Sequence, residues 1–190
     1  ARMSGSVIGV TGSVGKTTVK DLMAGVLATK LVTSASERSF NNEIGVPLTL
    51  CNAPDDVEAL VVEMGARGPG HIAALCELAH PRVGVVTVVA GAHLELFGDL
   101  AGVAVAKGEL IEALPADGTA VLNADDPFVA AMAARSAAPV LTFGRAAGAA
   151  RAGEVAGAHL SHIASPDTTV EPSDEVGLGH MRMKDAGVRH

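Results

Sequence analysis

The sequence predicts an α/β fold in which a mainly parallel sheet carries helices on both faces. Three observations predict it. Short runs rich in Val, Ile and Leu alternate with segments of helical period, which calls for right-handed crossovers between parallel strands. A glycine-punctuated stretch, Val7 to Lys20 (VIGVTGSVGKTTVK), stands between the first such run and the first helical segment. Finally, 48% hydrophobic against 18% charged residues in a chain of 190 supplies the apolar surface of a packed core. In such sheets ligands gather at the C-terminal ends of the strands, so candidate residues are sought there.

Val7-Ile8-Gly9-Val10 reads as a buried strand. From Lys16 onward Val19, Leu22, Met23, Val26 and Leu27 fall on one face of a helix. A polar segment with Asn41 and Asn42 leads into Val46-Pro47-Leu48-Thr49-Leu50. Leu60 to Met64 is strand-like, and after Gly68-Pro69-Gly70 the residues Ile72, Leu75, Cys76 and Ala79 set a helix that Pro81 ends. Val83 to Val89, rich in β-branched residues, reads as a central strand. Leu100 to Leu114 fits a helix, Ala120-Val121-Leu122 a strand, and Pro127 opens a short helix in its first turn. Val140-Leu141-Thr142 closes the series. From Arg145 to His190 large apolar groups are few and no period is sustained. Residues 1–144 are therefore read as the ordered domain and 145–190 as an irregular or truncated tail. No internal repeat is present.

The 14 basic and 21 acidic residues leave a formal charge of −7. With no Lys/Arg run and no interleaved aromatics, that balance offers no nucleic-acid surface. Cys51 and Cys76 are too far apart for a C-x-x-C pair and read as buried free thiols of a reducing compartment. The longest apolar stretch, Val83 to Ala92, is about half the length of a membrane span. No signal peptide precedes the first strand-like run, and a cytoplasmic protein is expected.

Gly12-Ser13-Val14-Gly15-Lys16-Thr17-Thr18 occupies the turn from first strand to first helix. Glycines there let backbone N–H groups wrap phosphate oxygens. The helix terminus adds partial positive charge, Lys16 a full one, and Thr17 a hydroxyl for Mg²⁺. The longer Walker spelling places a glycine where this chain has Val10, so the match is to the shorter G-x-x-G-K-T and a P-loop NTPase-like sheet. Glu63 ends an otherwise apolar strand at the same edge, where a carboxylate either holds Mg²⁺ or faces solvent. His93 follows the Val83 to Val89 run, and its place beside the other two candidates favours a ligand over a structural side chain.

Lys107 falls on the inward stripe of its helix with Leu100, Val103, Ala104, Leu110, Ile111 and Leu114. Two readings stand. Its amine snorkels to the rim, or it is desolvated, loses proton affinity and becomes able to take up CO₂ as a carbamate, an oxygen ligand for Mg²⁺. Asn123, in Asn123-Ala124-Asp125-Asp126, either faces a nucleotide base or turns the chain. His159 and His162 have helical metal spacing but sit in the irregular tail and read as solvated.

Together these segments resemble the ATP-binding central domain of the Mur ligases, whose loop T-G-x-x-G-K-T/S-T/S is Thr11 to Thr18 here. The resemblance covers roughly Val7 to Gly144. It includes Ser39 to Leu50 (SFNNEIGVPLTL), Glu63-Met64-Gly65-Ala66, Gly68 to Ile72 (GPGHI), Ala92 to Gly98 (AHLELFG) and Ala106 to Leu110 (AKGEL). These look most like the member that joins D-alanyl-D-alanine to a UDP-MurNAc-tripeptide.

The resemblance implies ATP phosphates on Lys16 and the loop amides, one Mg²⁺ on Thr17 and Glu63, and a second on Glu63, His93 and carbamylated Lys107. It implies catalytic roles for Lys16, His93 and Lys107, adenine near Asn123, and the UDP-muramoyl substrate toward Asn41 and Asn42. The reaction it implies activates a carboxylate as an acyl phosphate, which the D-Ala-D-Ala amine then attacks. Where the family often has Asn-Ile ahead of its histidine, this chain has Val88-Val89. The family also carries an N-terminal UDP-binding and a C-terminal ligase domain, which this chain does not resemble; alone it is expected to bind ATP weakly and ligate poorly. Another ligase of the Mur or folylpolyglutamate type, adding an amino acid to a different muramoyl peptide or to folate, and a nucleotide-binding module without ligase activity are the alternatives. The guanine-reading N-K-x-D is absent, which argues against a GTPase switch.

Overall fold

The computed structural model describes residues 5–91 and 97–145. Six strands and five helices alternate in it: β1 (Ser6–Thr11), α1 (Lys16–Leu27), β2 (Thr33–Ala35), α2 (Gly45–Asn52), β3 (Ala59–Glu63), α3 (His71–Ala79), β4 (Val83–Val86), α4 (Leu100–Glu112), β5 (Thr119–Asn123), α5 (Pro127–Ala130) and β6 (Val140–Phe143). A 3₁₀ turn, Ala131–Arg135, extends α5. The strand order is β2-β3-β1-β4-β5-β6, and every adjacent pair is parallel. The chain runs outward from β1 to β2, returns through β3, and crosses β1 to reach β4. The order therefore reverses beside β1, where a crevice opens at the C-terminal strand ends. Register sets Val10 of β1 opposite Glu63 and Thr11 opposite Val86, so the phosphate-loop candidate and Glu63 share one edge.

Period-two alternation sends β-strand side chains to two cores. Leu60, Val62 and Met64 pack with Ile72, Leu75 and Cys76 of α3, and this layer continues through Val86, Ala120 and Leu122 onto α4. Ile8, Val10, Val61 and Val85 face the other way, toward Leu27, Val19 and Met23 of α1.

Three expectations change, and two elements that the sequence left unassigned, β2 and α2, take form. Of the two thiols expected to be buried, Cys76 is buried and Cys51 is exposed. On α1, Leu22 and Val26 are 65% and 69% exposed, while Lys20 is buried. The inward stripe is Val19, Lys20, Met23, Ala24 and Leu27, because the Lys20 amine finds backbone carbonyls beneath the helix. β2, Thr-Ser-Ala, has no apolar run and exists through pairing with β3. Val46 to Leu50 lies inside α2; Pro47 fits because the first helical turn needs no N–H there. β4 stops at Val86 rather than Val89, because the next residues leave the sheet to bond the phosphate loop.

Candidate active site

The loop from β1 to α1 is pinned before any ligand is considered. Ser13 N–H donates to Val88 O at 2.7 Å, the Ser13 hydroxyl bonds both O and N–H of Ala90, and the Thr87 hydroxyl donates to Val14 O at 2.7 Å. Gly12 has φ +147°, and a Cβ there would overlap the Thr87 hydroxyl oxygen. Gly15, at φ +85°, caps α1 in the left-handed region, and the space a Cβ would fill is open.

No side chain caps α1 and no acidic residue lies in its first turn. Elsewhere carboxylates take that role: Asp99 accepts from Gly102 N–H, Asp126 from Phe128 and Val129 N–H, and Glu109 from Gly70 and Ala73 N–H on α3. The first-turn amides of α1 have no intrahelical acceptor and no carboxylate, and the Lys16 amine bonds the loop carbonyl Gly12 O at 2.9 Å. This donor set fits a polyphosphate. Val14 and Thr18 sit on its exposed side.

Glu63 is 1% exposed, and both its carboxylate oxygens are engaged. Thr17 Oγ1 donates to Oε2 at 2.7 Å, and Asn41 Nδ2 donates to Oε1 at 2.8 Å. A buried carboxylate against a hydroxyl, beside a phosphate loop, is the hard-oxygen donor pair that suits Mg²⁺. Among the described residues no three His, Cys, Asp or Glu side chains form a metal cluster. A Mg²⁺ shared with phosphate oxygens and water needs only one or two protein donors. Asn42 Oδ1 accepts from Gly45 N–H at 2.9 Å and fixes the start of α2.

Lys107 is 6% exposed on the inner side of α4, and its amine is pushed down from 10.5 to about 8, first by burial and then by the positive charge of Lys16. It lines a cavity of about 530 Å³ together with Gly12, Ser13, Lys16, Asn41 and Asn42. Among the described residues it has no hydrogen-bond or ion-pair partner. Of the two readings of this lysine, the structure favours the desolvated one. An amine with this proton affinity is about a tenth neutral near pH 7, and the neutral form is the one that reacts with CO₂.

The structure thus brings Lys16, Asn41, Asn42 and Lys107 to one cavity, with Thr17 and Glu63 joined through Asn41. His93 lies outside the described residues, as do His159 and His162. Asn123 does not line this cavity. Its Nδ2 donates to Thr87 O at 2.8 Å and its Oδ1 accepts from Asp125 N–H at 2.9 Å, so its bonds hold the turn. The sequence reading gave no role of their own to Thr87, Ser36, Lys20, Glu109 or Asp126, although Lys20, Glu109 and Asp126 stand in segments it quoted. Only Asp126 carried a signal, an acidic residue directly before a proline at a helix start.

Residues 10–173 match the family model described as Mur ligase middle domain. The chain belongs to the Mur ligase middle domain family. That match passes the Gly144 boundary expected for the domain. Among curated relatives, the UDP-N-acetylmuramoyl-tripeptide--D-alanyl-D-alanine ligase of Mycobacterium tuberculosis (strain ATCC 25618 / H37Rv) is 47% identical over 178 residues, covering 92% of this chain and 34% of the relative. The MurF ligase of Thermotoga maritima, solved in complex with ADP, superposes with a TM-score of 0.69 at 39% identity over 75% of this chain and 33% of that one. MurF from Acinetobacter baumannii gives 0.70 at 30% identity over 76% and 32%. This Mur ligase domain thus spans about a third of the length of the curated relatives it matches. No helix among the described residues is long and apolar enough to cross a membrane.

Proposed function

We propose that this chain is the ATP-binding domain of a ligase that joins D-Ala-D-Ala to a UDP-MurNAc-tripeptide through an acyl phosphate. The observation that carries the reading is the meeting of Lys16, Lys107 and Asn41 on one cavity, with Asn41 hydrogen-bonded to Glu63 and Glu63 to Thr17 behind it. The naming of the relatives supports the choice of substrates, and the ADP complex of the Thermotoga maritima relative supports the nucleotide.

In this reading residues 12–18 cradle the phosphates, and the Lys16 amine moves from Gly12 O to a phosphate oxygen. Thr17 and Glu63 would hold one Mg²⁺, and Glu63, His93 and Lys107, if carbamylated, would hold a second. Carbamate formation joins the neutral Lys107 amine to CO₂ and releases one proton. The ions, when bound, neutralise charge on the transferring phosphoryl group. Asn41 and Asn42 line the side from which the muramoyl peptide enters, and Asn123 borders the adenine. The tripeptide carboxylate displaces ADP from the γ-phosphorus; the D-Ala-D-Ala amine then adds to the carbonyl, loses a proton and expels phosphate. The cavity wall keeps water from the acyl phosphate. The nucleotide domain includes residues 10–144, and the expected tail beyond Arg145 lies outside the described residues. UDP binding and part of the amine binding belong to segments that the relatives possess outside the matched third, and the protein works in the cytoplasm.

The test is ADP release by the complete gene product, given ATP, UDP-MurNAc-tripeptide and a panel of amines. Release that depends on D-Ala-D-Ala is expected. Preference for another amine moves the chain to another ligase of the family, including the folylpolyglutamate type. Nucleotide binding with no amine-dependent release makes it a binding module.

A further inference from the structure

Lys20 is a buried cation that the proposed chemistry does not use. It lies on α1 one turn beyond Lys16 and is 2% exposed. Its amine donates to Ser36 O at 2.6 Å and to Arg38 O at 3.1 Å, and it pairs with Asp21 Oδ1 at 3.0 Å. A lysine usually leaves such a helix for water, so these bonds must offset the desolvation of its charge.

The two carbonyls belong to the turn that leaves β2. Ser36 is fixed there at three atoms: its N–H donates to Val61 O at 2.9 Å, its hydroxyl accepts the Glu63 N–H at 3.1 Å, and its carbonyl meets Lys20. Arg38 adopts φ +46°, a left-handed conformation that is strained for a non-glycine residue. The same turn delivers Asn41, whose amide holds Glu63 Oε1 while Thr17 holds Oε2. Helix α1 therefore reaches Glu63 by two routes: directly through Thr17, and indirectly through Lys20, the 36–38 turn and Asn41.

We infer that Lys20 is a positioning residue that sets the Glu63 carboxylate for Mg²⁺ by clamping the turn that presents Asn41. This rests on the reading of Thr17 and Glu63 as Mg²⁺ donors. Unlike Lys16 and Asn41, Lys20 does not line the phosphate cavity. Its effect is on the metal dependence of nucleotide binding, and Lys16 and the loop amides are left intact.

The experiment is calorimetric ADP binding to the 190-residue chain across a Mg²⁺ series, for wild type, Lys20→Met, Lys20→Arg, Asn41→Ala and Lys20→Met/Asn41→Ala. Lys20→Met is expected to raise the Mg²⁺ concentration for half-maximal enhancement about tenfold. ADP affinity in EDTA is expected to stay within about twofold of wild type, and Lys20→Arg, which still donates to both carbonyls, to restore most of the Mg²⁺ effect. In the Asn41→Ala background Lys20→Met is expected to add nothing further. An unchanged Mg²⁺ response in Lys20→Met, or full additivity with Asn41→Ala, overturns the inference. If Lys20→Met loses its helical circular dichroism, Lys20→Gln, which keeps a donor for one carbonyl, takes its place. Unfolding of that variant as well overturns the positioning role in favour of general stability. A wild-type chain that binds ADP without any Mg²⁺ effect sinks the metal reading itself, a different outcome from a Lys20 variant that matches wild type.

Discussion

Replacing Lys107 by methionine is expected to stabilise the domain at neutral pH and to leave its stability almost unchanged at high pH. The amine has a proton affinity of 10.5 when unfolded and about 8 in place, lowered by burial and then by Lys16. Between those values the unfolded chain holds the proton and the folded chain does not, so wild-type stability rises with pH across that window. Below about 8 both states are protonated and the folded state bears the whole cost. At about 1.4 kcal/mol for each tenfold change in proton affinity, the depression corresponds to about 3 kcal/mol. Methionine fills a similar volume without the charge, so Lys107→Met minus wild type should be about 3 kcal/mol near neutrality and close to zero by pH 10.5. The chain has no Trp or Tyr, so urea unfolding is followed by far-UV circular dichroism, in CO₂-free buffers that keep the amine unmodified. Packing changes shift the whole curve; the slope reports the lysine. A difference that stays constant from neutrality to pH 10.5 refutes the reasoning.

Three further substitutions or modifications probe the surrounding structure. Gly12→Ala places a Cβ on the Thr87 hydroxyl and should cost about 2 kcal/mol in denaturant unfolding, part of it recovered by adding Thr87→Ala. Asp126→Ala removes the acceptor of the Val89, Phe128 and Val129 N–H groups and should cost about 2 to 3 kcal/mol by the same assay. Burial and then Glu109 push the Cys76 thiol up to about 12, so an aromatic disulfide reagent should titrate exposed Cys51 alone until denaturant is added.

Much of the site was legible because its residues break a local pattern. Glu63 ends an apolar strand, and Lys107 interrupts an apolar helical stripe; each anomaly is visible within a few residues and each proved buried. The phosphate loop was legible from its glycines, both of which adopt positive φ. Lys20 was not legible, because what buries it is a pair of carbonyls on a turn that the sequence could not place beneath α1. Without that partner, Leu22 and Val26 read as the inward residues and the helix was rotated by one position. β2 was missed for a related reason: a Thr-Ser-Ala segment becomes a strand only when β3 supplies its ladder. Asn123 was open between two roles, and the bond to Thr87 O that holds its turn joins residues 36 apart in sequence.

The central claim is that Lys16, Thr17 and Glu63 form a single site for a magnesium nucleotide. Calorimetric titration of ADP into this chain, with Mg²⁺ and with EDTA, tests it most directly when Lys16→Ala and Glu63→Gln are run beside wild type. The account predicts saturable binding that Mg²⁺ strengthens, no measurable binding in Lys16→Ala, and metal-independent residual binding in Glu63→Gln. Binding in Lys16→Ala equal to wild type, or a Mg²⁺ response that survives intact in Glu63→Gln, contradicts it.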